Sequence, residues 1–216
     1  MLSDIFIQKY NDFPVNINEV LRYAGCLGAG SDSDMSQMAW DCVKELSNSK
    51  VYSYAVSYRI VPITSISKDN NIDFNVFKIK SDDLAGMLAG CDSAVFIAAT
   101  IGHGIDRVIH KYSRLNPARA LFMQAIGAER VETMLDVFCE ELPGNVRAIV
   151  SSEKGDLGDV TITPRFSPGY GDLSLSIQPQ FLDVVDAARR IGITVNESLL
   201  MSPSKSVTAI AGIRGN

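Results

Sequence analysis

The chain has 216 residues, 46% of them hydrophobic and 21% charged, an ordinary globular composition with enough apolar residues for one sizeable core. Its formal net charge of -5 leaves no basic footprint for nucleic acid, whose binding draws most of its affinity from lysines and arginines that displace counterions. No stretch is long and apolar enough to span a bilayer, so membrane and nucleic acid are both set aside as partners. The N-terminal MLSDIFIQKYNDF carries Asp4 and Asp12 and no basic lead into an apolar run, so it does not read as a secretory signal. Cys26, Cys42, Cys91 and Cys139 are too scattered for a zinc site or a small disulfide framework, which points to reduced thiols and a cytoplasmic protein.

After a polar start, Ile17, Val20, Leu21 and Ala24 recur at helical spacing behind Asn16 or Asn18 as a cap, with Gly25 as the stop. Met35, Met38, Ala39, Cys42, Val43 and Leu46 predict a second helix with these side chains on one face. Gly28 and Gly30 lie between them, but they follow a helix instead of a strand and so do not form a dinucleotide loop. Val51 to Ile66 is rich in Tyr, Val and Ile and predicts β-structure. Lys68 to Asn71 reads as a turn, and Ile72, Phe74, Val76, Phe77 and Ile79 as one further strand. Ser81 caps a short helix over 82–88.

Ser93 to Thr100 is a continuous apolar run, which predicts a central strand buried on both faces. A helix follows from Ile105, and Pro117 is placed to open the next. That helix is expected over 118–142, with an apolar stripe through Ala120, Leu121, Gln124, Ala128, Val131, Leu135, Phe138 and Leu142, and Pro143-Gly144-Asn145 as its end. Gly127 inside it costs about 1 kcal/mol against alanine and marks a close approach or a bend. The Gly/Asp-punctuated stretch 151–159 lacks the spacing of a calcium loop and reads as turns. Val160 to Thr163 predicts a strand, Leu173 to Ile177 shows strand-like alternation, and Phe181 to Ile191 predicts a helix closed by Gly192. With neither repeats nor a linker, residues 1–216 are expected to form a single α+β domain with a twisted, largely antiparallel sheet flanked by helices.

Nucleophile elbows, phosphate loops and metal-spaced histidines are all missing from the sequence, since His103 and His110 are too far apart for a shared helical metal face. Function is thereby pushed toward binding, or toward chemistry carried by a cofactor. One stretch gathers the chemistry: Arg165-Phe166-Ser167-Pro168-Gly169-Tyr170-Gly171-Asp172 puts a fixed cation, a hydroxyl, an aromatic ring and a carboxylate into a sharply bending peptide. Read alone it is a Pro-Gly turn between two strands that could also hold a small zwitterion.

Arg165 to Leu175, followed by Met201-Ser202-Pro203-Ser204-Lys205-Ser206-Val207, resembles the paired signatures of the activation domain of cobalamin-dependent methionine synthase, in its short free-standing form. Glu19 to Tyr23, Ala99 to Gly102 with Asp106-Arg107, and Ala125 to Ala128 with Glu132 resemble the same family in order, so the similarity runs along nearly the whole chain. The resemblance implies S-adenosylmethionine binding and reductive methylation of cob(II)alamin. The corrin would be held by a partner, a methionine synthase or another corrinoid protein, and the electron would come from a flavodoxin-like donor. It makes the chain an accessory component of a methyltransferase system.

By this resemblance Arg165 pairs with the methionyl carboxylate, and backbone groups around Ser167 and Gly169 meet the ligand's polar atoms. Tyr170, the expected catalytic residue, packs on the ligand or toward the corrin. Glu132, or Glu129 or Asp136 if the helix alignment shifts by a turn, complements the ammonium and sulfonium charges. The large enzymes carry a Cys- and His-containing run where this chain has Gly171 to Leu175, and aromatic residues where it has Ile210 and Ala211. Those departures motivate the alternative of a non-catalytic interaction protein of a corrinoid system that keeps the fold.

Overall fold

The computed structural model describes residues 4–26, 33–154 and 160–215, with 151–154 described by backbone alone. The Gly28/Gly30 loop and the Gly/Asp stretch 155–159 lie outside the described residues. In chain order the elements begin with β1 (Ile5–Tyr10), α1 (Ile17–Tyr23), α2 (Asp34–Asn48) and β2 (Tyr54–Pro62). The short strands β3 (Ser65–Ile66), β4 (Asn71–Asp73) and β5 (Lys78–Lys80) precede α3 (Asp82–Met87). Next come β6 (Ser93–Thr100), α4 (Gly104–Leu115), α5 (Pro117–Lys154) and β7 (Val160–Ile162). The chain closes with α6 (Gln178–Val184), α7 (Ala187–Ile191), β8 (Thr194–Val195), β9 (Met201–Ser202) and β10 (Ser206–Gly215).

The main sheet is antiparallel throughout and runs β1-β2-β6-β10-β7. Its middle strand is the continuous apolar run, and the reason is visible in its alternation. Val95, Ile97 and Ala99 join a core under α1, α2, α4 and α5, while Ala94, Phe96 and Ala98 join a second core under α3, α6 and α7. Both faces are covered, so no polar residue can alternate in. The expected α+β class, with an antiparallel sheet flanked by helices, is the architecture that forms. No helix among the described residues is long and apolar enough to cross a membrane.

Several local expectations are corrected. Residues 72–79 form two strands, β4 and β5, because Asn75 turns the chain with φ +63, a conformation asparagine tolerates better than most residues. Leu173 to Ile177 is not a strand; it ends in a 3-10 turn over Leu175–Ile177 that leads into α6. The predicted helix over 181–191 is broken into α6 and α7 by Asp186 at φ +49, and Gly192 at φ +74 closes it as expected. Pro143 does not end α5, which continues to Lys154, since the turns around the proline bury Leu142 and Val146. Met35 on α2 and Leu121 on α5 are exposed instead of facing the core, and β1 occupies part of what reads as a polar start.

Candidate functional site

The Arg165 loop is an extension of the sheet that peels away into a turn. Beyond β7, Thr163 N–H donates to Gly212 O (3.0 Å), and the Thr163 hydroxyl accepts from Gly212 N–H (2.7 Å). Phe166 then pairs both ways with Ile210, at 2.9 and 2.8 Å. Phe166 packs on the second core, while its neighbour Arg165 reaches α5. The turn that follows is closed by Tyr170 N–H to Ser167 O (3.2 Å) and Gly169 N–H to Leu173 O (2.8 Å), with Gly169 at φ +94 and Gly171 at φ +52. A Cβ on Gly171 would stand 2.2 Å from Asp83 Oδ2, so the loop can approach α3 only as glycine.

Asp172 explains that approach. Its carboxylate accepts from the Ser81 hydroxyl and from the N–H groups of Asp82 (2.5 Å) and Asp83 (3.4 Å), tying the loop to the start of α3. These donors, the Ser81 hydroxyl first, hold its carboxyl below the usual carboxylate range. A folded pKa below the unfolded one means that the stabilisation is complete above about pH 4 and is lost as pH falls through the folded value. Asp172→Ala is therefore expected to lower the melting temperature at pH 7, and the gap to wild type to close below about pH 4. Thermal melts across that range check this, and a gap that does not change with pH would count against it.

Arg165 meets α5 through Nη2, which lies 2.7 Å from Asp136 Oδ1 and 3.4 Å from Glu132 Oε2; its Nη1 is buried and has no hydrogen-bond partner. Two cavities open beside it. A cavity of about 290 Å³ is lined by Arg165, Glu132, Ser167, Tyr170 and residues of β10. A second, of about 490 Å³, is lined by Pro168, Leu175, Gln178, the 199–201 segment and Ser204 to Thr208 apart from Lys205. They share Glu132, Ser167, Tyr170 and Val207, so the two spaces are adjacent.

The second signature forms the far wall. Met201–Ser202 pairs with Thr194–Val195, the Ser202-Pro203 peptide is cis, and Ser204 donates to Asp106 of α4 through its N–H (2.9 Å) and its hydroxyl (2.5 Å). Lys205 turns away from the cavities and lies across α5, where a Cβ on Gly127 would stand 2.9 Å from its Cε. Gly127 is thus a close approach. Burial there depresses the Lys205 ammonium pKa, with Asp106 opposing the shift.

Of the residues singled out from the sequence, Arg165, Ser167, Tyr170 and Glu132 come together around the paired cavities. Tyr170 stands at their edge with 71% of its surface exposed. Gly169 is not among the lining residues, and its N–H is committed to Leu173. The three helix carboxylates separate cleanly. Glu129 is buried and bonded to Arg130, Glu132 lines both cavities, and Asp136 holds Arg165 from the solvent side. Ala211 is wholly buried in β10. Sequence reading missed Gln178, Thr208 and Leu200; the only signal for Gln178 was a polar residue directly before Pro179 at a helix start.

No family model and no curated protein matches the sequence. Among solved structures, the reactivation domain of MetH bound to AdoHcy matches with a TM-score of 0.62 and 14% sequence identity, over 97% of this chain and 78% of that one. At that identity the likeness speaks to architecture, and the chain has the fold of the MetH reactivation domain.

Proposed function

We propose that the paired cavities bind S-adenosylmethionine and that the chain supports reductive methylation of cob(II)alamin carried by a partner, a methionine synthase or another corrinoid protein. The observation that carries this reading is Arg165: a guanidinium with a buried, unpartnered Nη1 beside a cavity that Glu132, its neighbour at 3.4 Å, also lines. Adjacent groups of opposite sign on one small cavity suit an amino-acid zwitterion, and a guanidinium matches a carboxylate in two-point geometry. Glu132 complements the ammonium and sulfonium charges, Ser167 sits where the two spaces meet, and the larger cavity receives the nucleoside. Tyr170, exposed at the edge, offers its ring to whatever covers the cleft.

The partner's cobalamin would supply the methyl acceptor after one-electron reduction by a flavodoxin-like donor. This chain's own residues bind and orient the sulfonium compound, which makes it an accessory component of the methyltransferase class working in the cytoplasm. The fold of a domain crystallised with AdoHcy supports the reading. Calorimetric titration with AdoHcy and S-adenosylmethionine is expected to give saturable binding, and no heat at high micromolar ligand would sink it. A second reading, a non-catalytic docking protein, draws on Arg165 Nη2 being already engaged by Asp136 and on Ala211 standing where the large enzymes have aromatics. It predicts co-purification with a corrinoid protein and no affinity for either ligand.

A further inference from the structure

The larger cavity has a polar floor that no charge on the ligand explains. Gln178, the first residue of α6, is 1% exposed and is one of the lining residues, together with Thr208 and Met201. Its Oε1 accepts from the Thr208 hydroxyl (3.1 Å), and its Nε2 donates to the Met201 sulfur (2.9 Å). A primary amide has two N–H donors and two acceptor sites, and a thioether is a weak acceptor. Burying an amide that is only partly satisfied is unfavourable, so one that lines a cavity is poised for a ligand that completes it. Thr208 is itself buried and holds the amide through the bond its hydroxyl donates to the carbonyl oxygen.

The walls around this floor are mixed. Leu175, Leu199, Leu200 and Val207 give an apolar side, while Glu132 and three serines line the rest. An apolar side next to an oriented carboxamide suits a flat heterocycle that displays a donor beside an acceptor. Adenine displays that pair as its 6-amino group and N7, which a glutamine amide matches with two hydrogen bonds.

Resting on the reading above that the cleft takes an adenosyl compound, we infer that Gln178, oriented by Thr208, is the residue that selects the base. A site built to hydrogen-bond a group rejects the analogue lacking it, because its own buried polar atoms are then left unpaired. The 6-oxo analogue of AdoHcy, S-inosylhomocysteine, keeps the amino-acid end and the ribose and replaces the 6-amino donor with an acceptor.

Titration of the wild-type chain with both compounds is expected to show AdoHcy bound at least about tenfold more tightly. Gln178→Met, close in volume and without the amide, is expected to bring the two affinities together by weakening AdoHcy. Thr208→Val, which leaves the amide in place but unpinned, is expected to narrow the difference. Because the wild-type comparison needs no variant, and Thr208→Val changes only a hydroxyl, a poorly folding Gln178→Met would not remove the test. Equal wild-type affinity for the two compounds overturns the role of Gln178 and leaves adenosyl binding standing. So does a discrimination that survives unchanged in both variants. Failure of the wild type to bind either compound overturns the adenosyl reading itself, and this inference with it.

Discussion

Arg130→Met is expected to lower folding stability by about 3–5 kcal/mol, the cost of leaving a buried charge without its partner. Arg130 and Glu129 have side chains only 1% and 2% exposed, and they join in a two-point pair at 2.6 and 2.7 Å. The guanidinium also donates to Phe13 O (2.6 Å) and Pro14 O (2.7 Å), while Glu129 Oε1 accepts from Asn16 N–H (2.9 Å) and Thr133 Oγ1 (3.1 Å). The pair therefore does more than neutralise itself, since it fastens the connection between β1 and α1 onto α5. Methionine fills much of the space but strands the Glu129 carboxylate and two carbonyl oxygens. Urea unfolding at neutral pH measures the loss. The double variant Glu129→Gln with Arg130→Met is expected to be less destabilised than the sum of the singles, because neither charge is then left alone. A loss under about 1 kcal/mol for Arg130→Met would place the pair in a solvated setting and contradict the observed burial.

This cluster shows where the sequence was silent. Glu129, Glu132 and Asp136 are indistinguishable as letters on one helix, and any of them could read as the ligand's counter-charge. What separates them is which residues the rest of the fold brings to each face: the 13–16 segment for Glu129, the Arg165 loop for the other two. β6 was legible because burial on both faces forces an unbroken apolar run, and α1, α3 and α4 because their periodicity, or the Ser81 cap, is local. β1 was not, since an edge strand with half-exposed residues needs no clean alternation. Pro143 misled for a physical reason: losing one N–H costs about 3 kcal/mol in a helix interior, which the burial of Leu142 and Val146 around it can offset. In the site, Arg165, Ser167, Tyr170 and Glu132 were reached through a resemblance of ordered signatures. Gln178 carried no such mark, because its meaning comes from Thr208 and Met201, thirty and twenty-three residues away.

Arg165→Ala is expected to weaken AdoHcy binding by about 100-fold, the worth of a charge-assisted pair at the upper end of its range. The same change is expected to cost the fold less than about 1 kcal/mol, because the arginine's partners on α5 are exposed and exposed ion pairs contribute little. That split distinguishes this arginine from Arg130, whose loss acts on stability. Arg165→Lys should recover only part of the affinity, since an ammonium cannot place two parallel donors on a carboxylate. Asp136 makes the sharper test. It lies 2.7 Å from Nη2, with 65% of its side chain exposed, so a ligand carboxylate arriving at Arg165 competes with it for the same donors. Asp136→Ala is expected to tighten AdoHcy binding by up to about fivefold, the equivalent of one surface pair. If Asp136→Ala instead weakens binding as much as Arg165→Ala does, the aspartate orients the guanidinium for the ligand. If Arg165→Ala binds like wild type, the amino-acid end lies elsewhere and the charged cavity is not its seat.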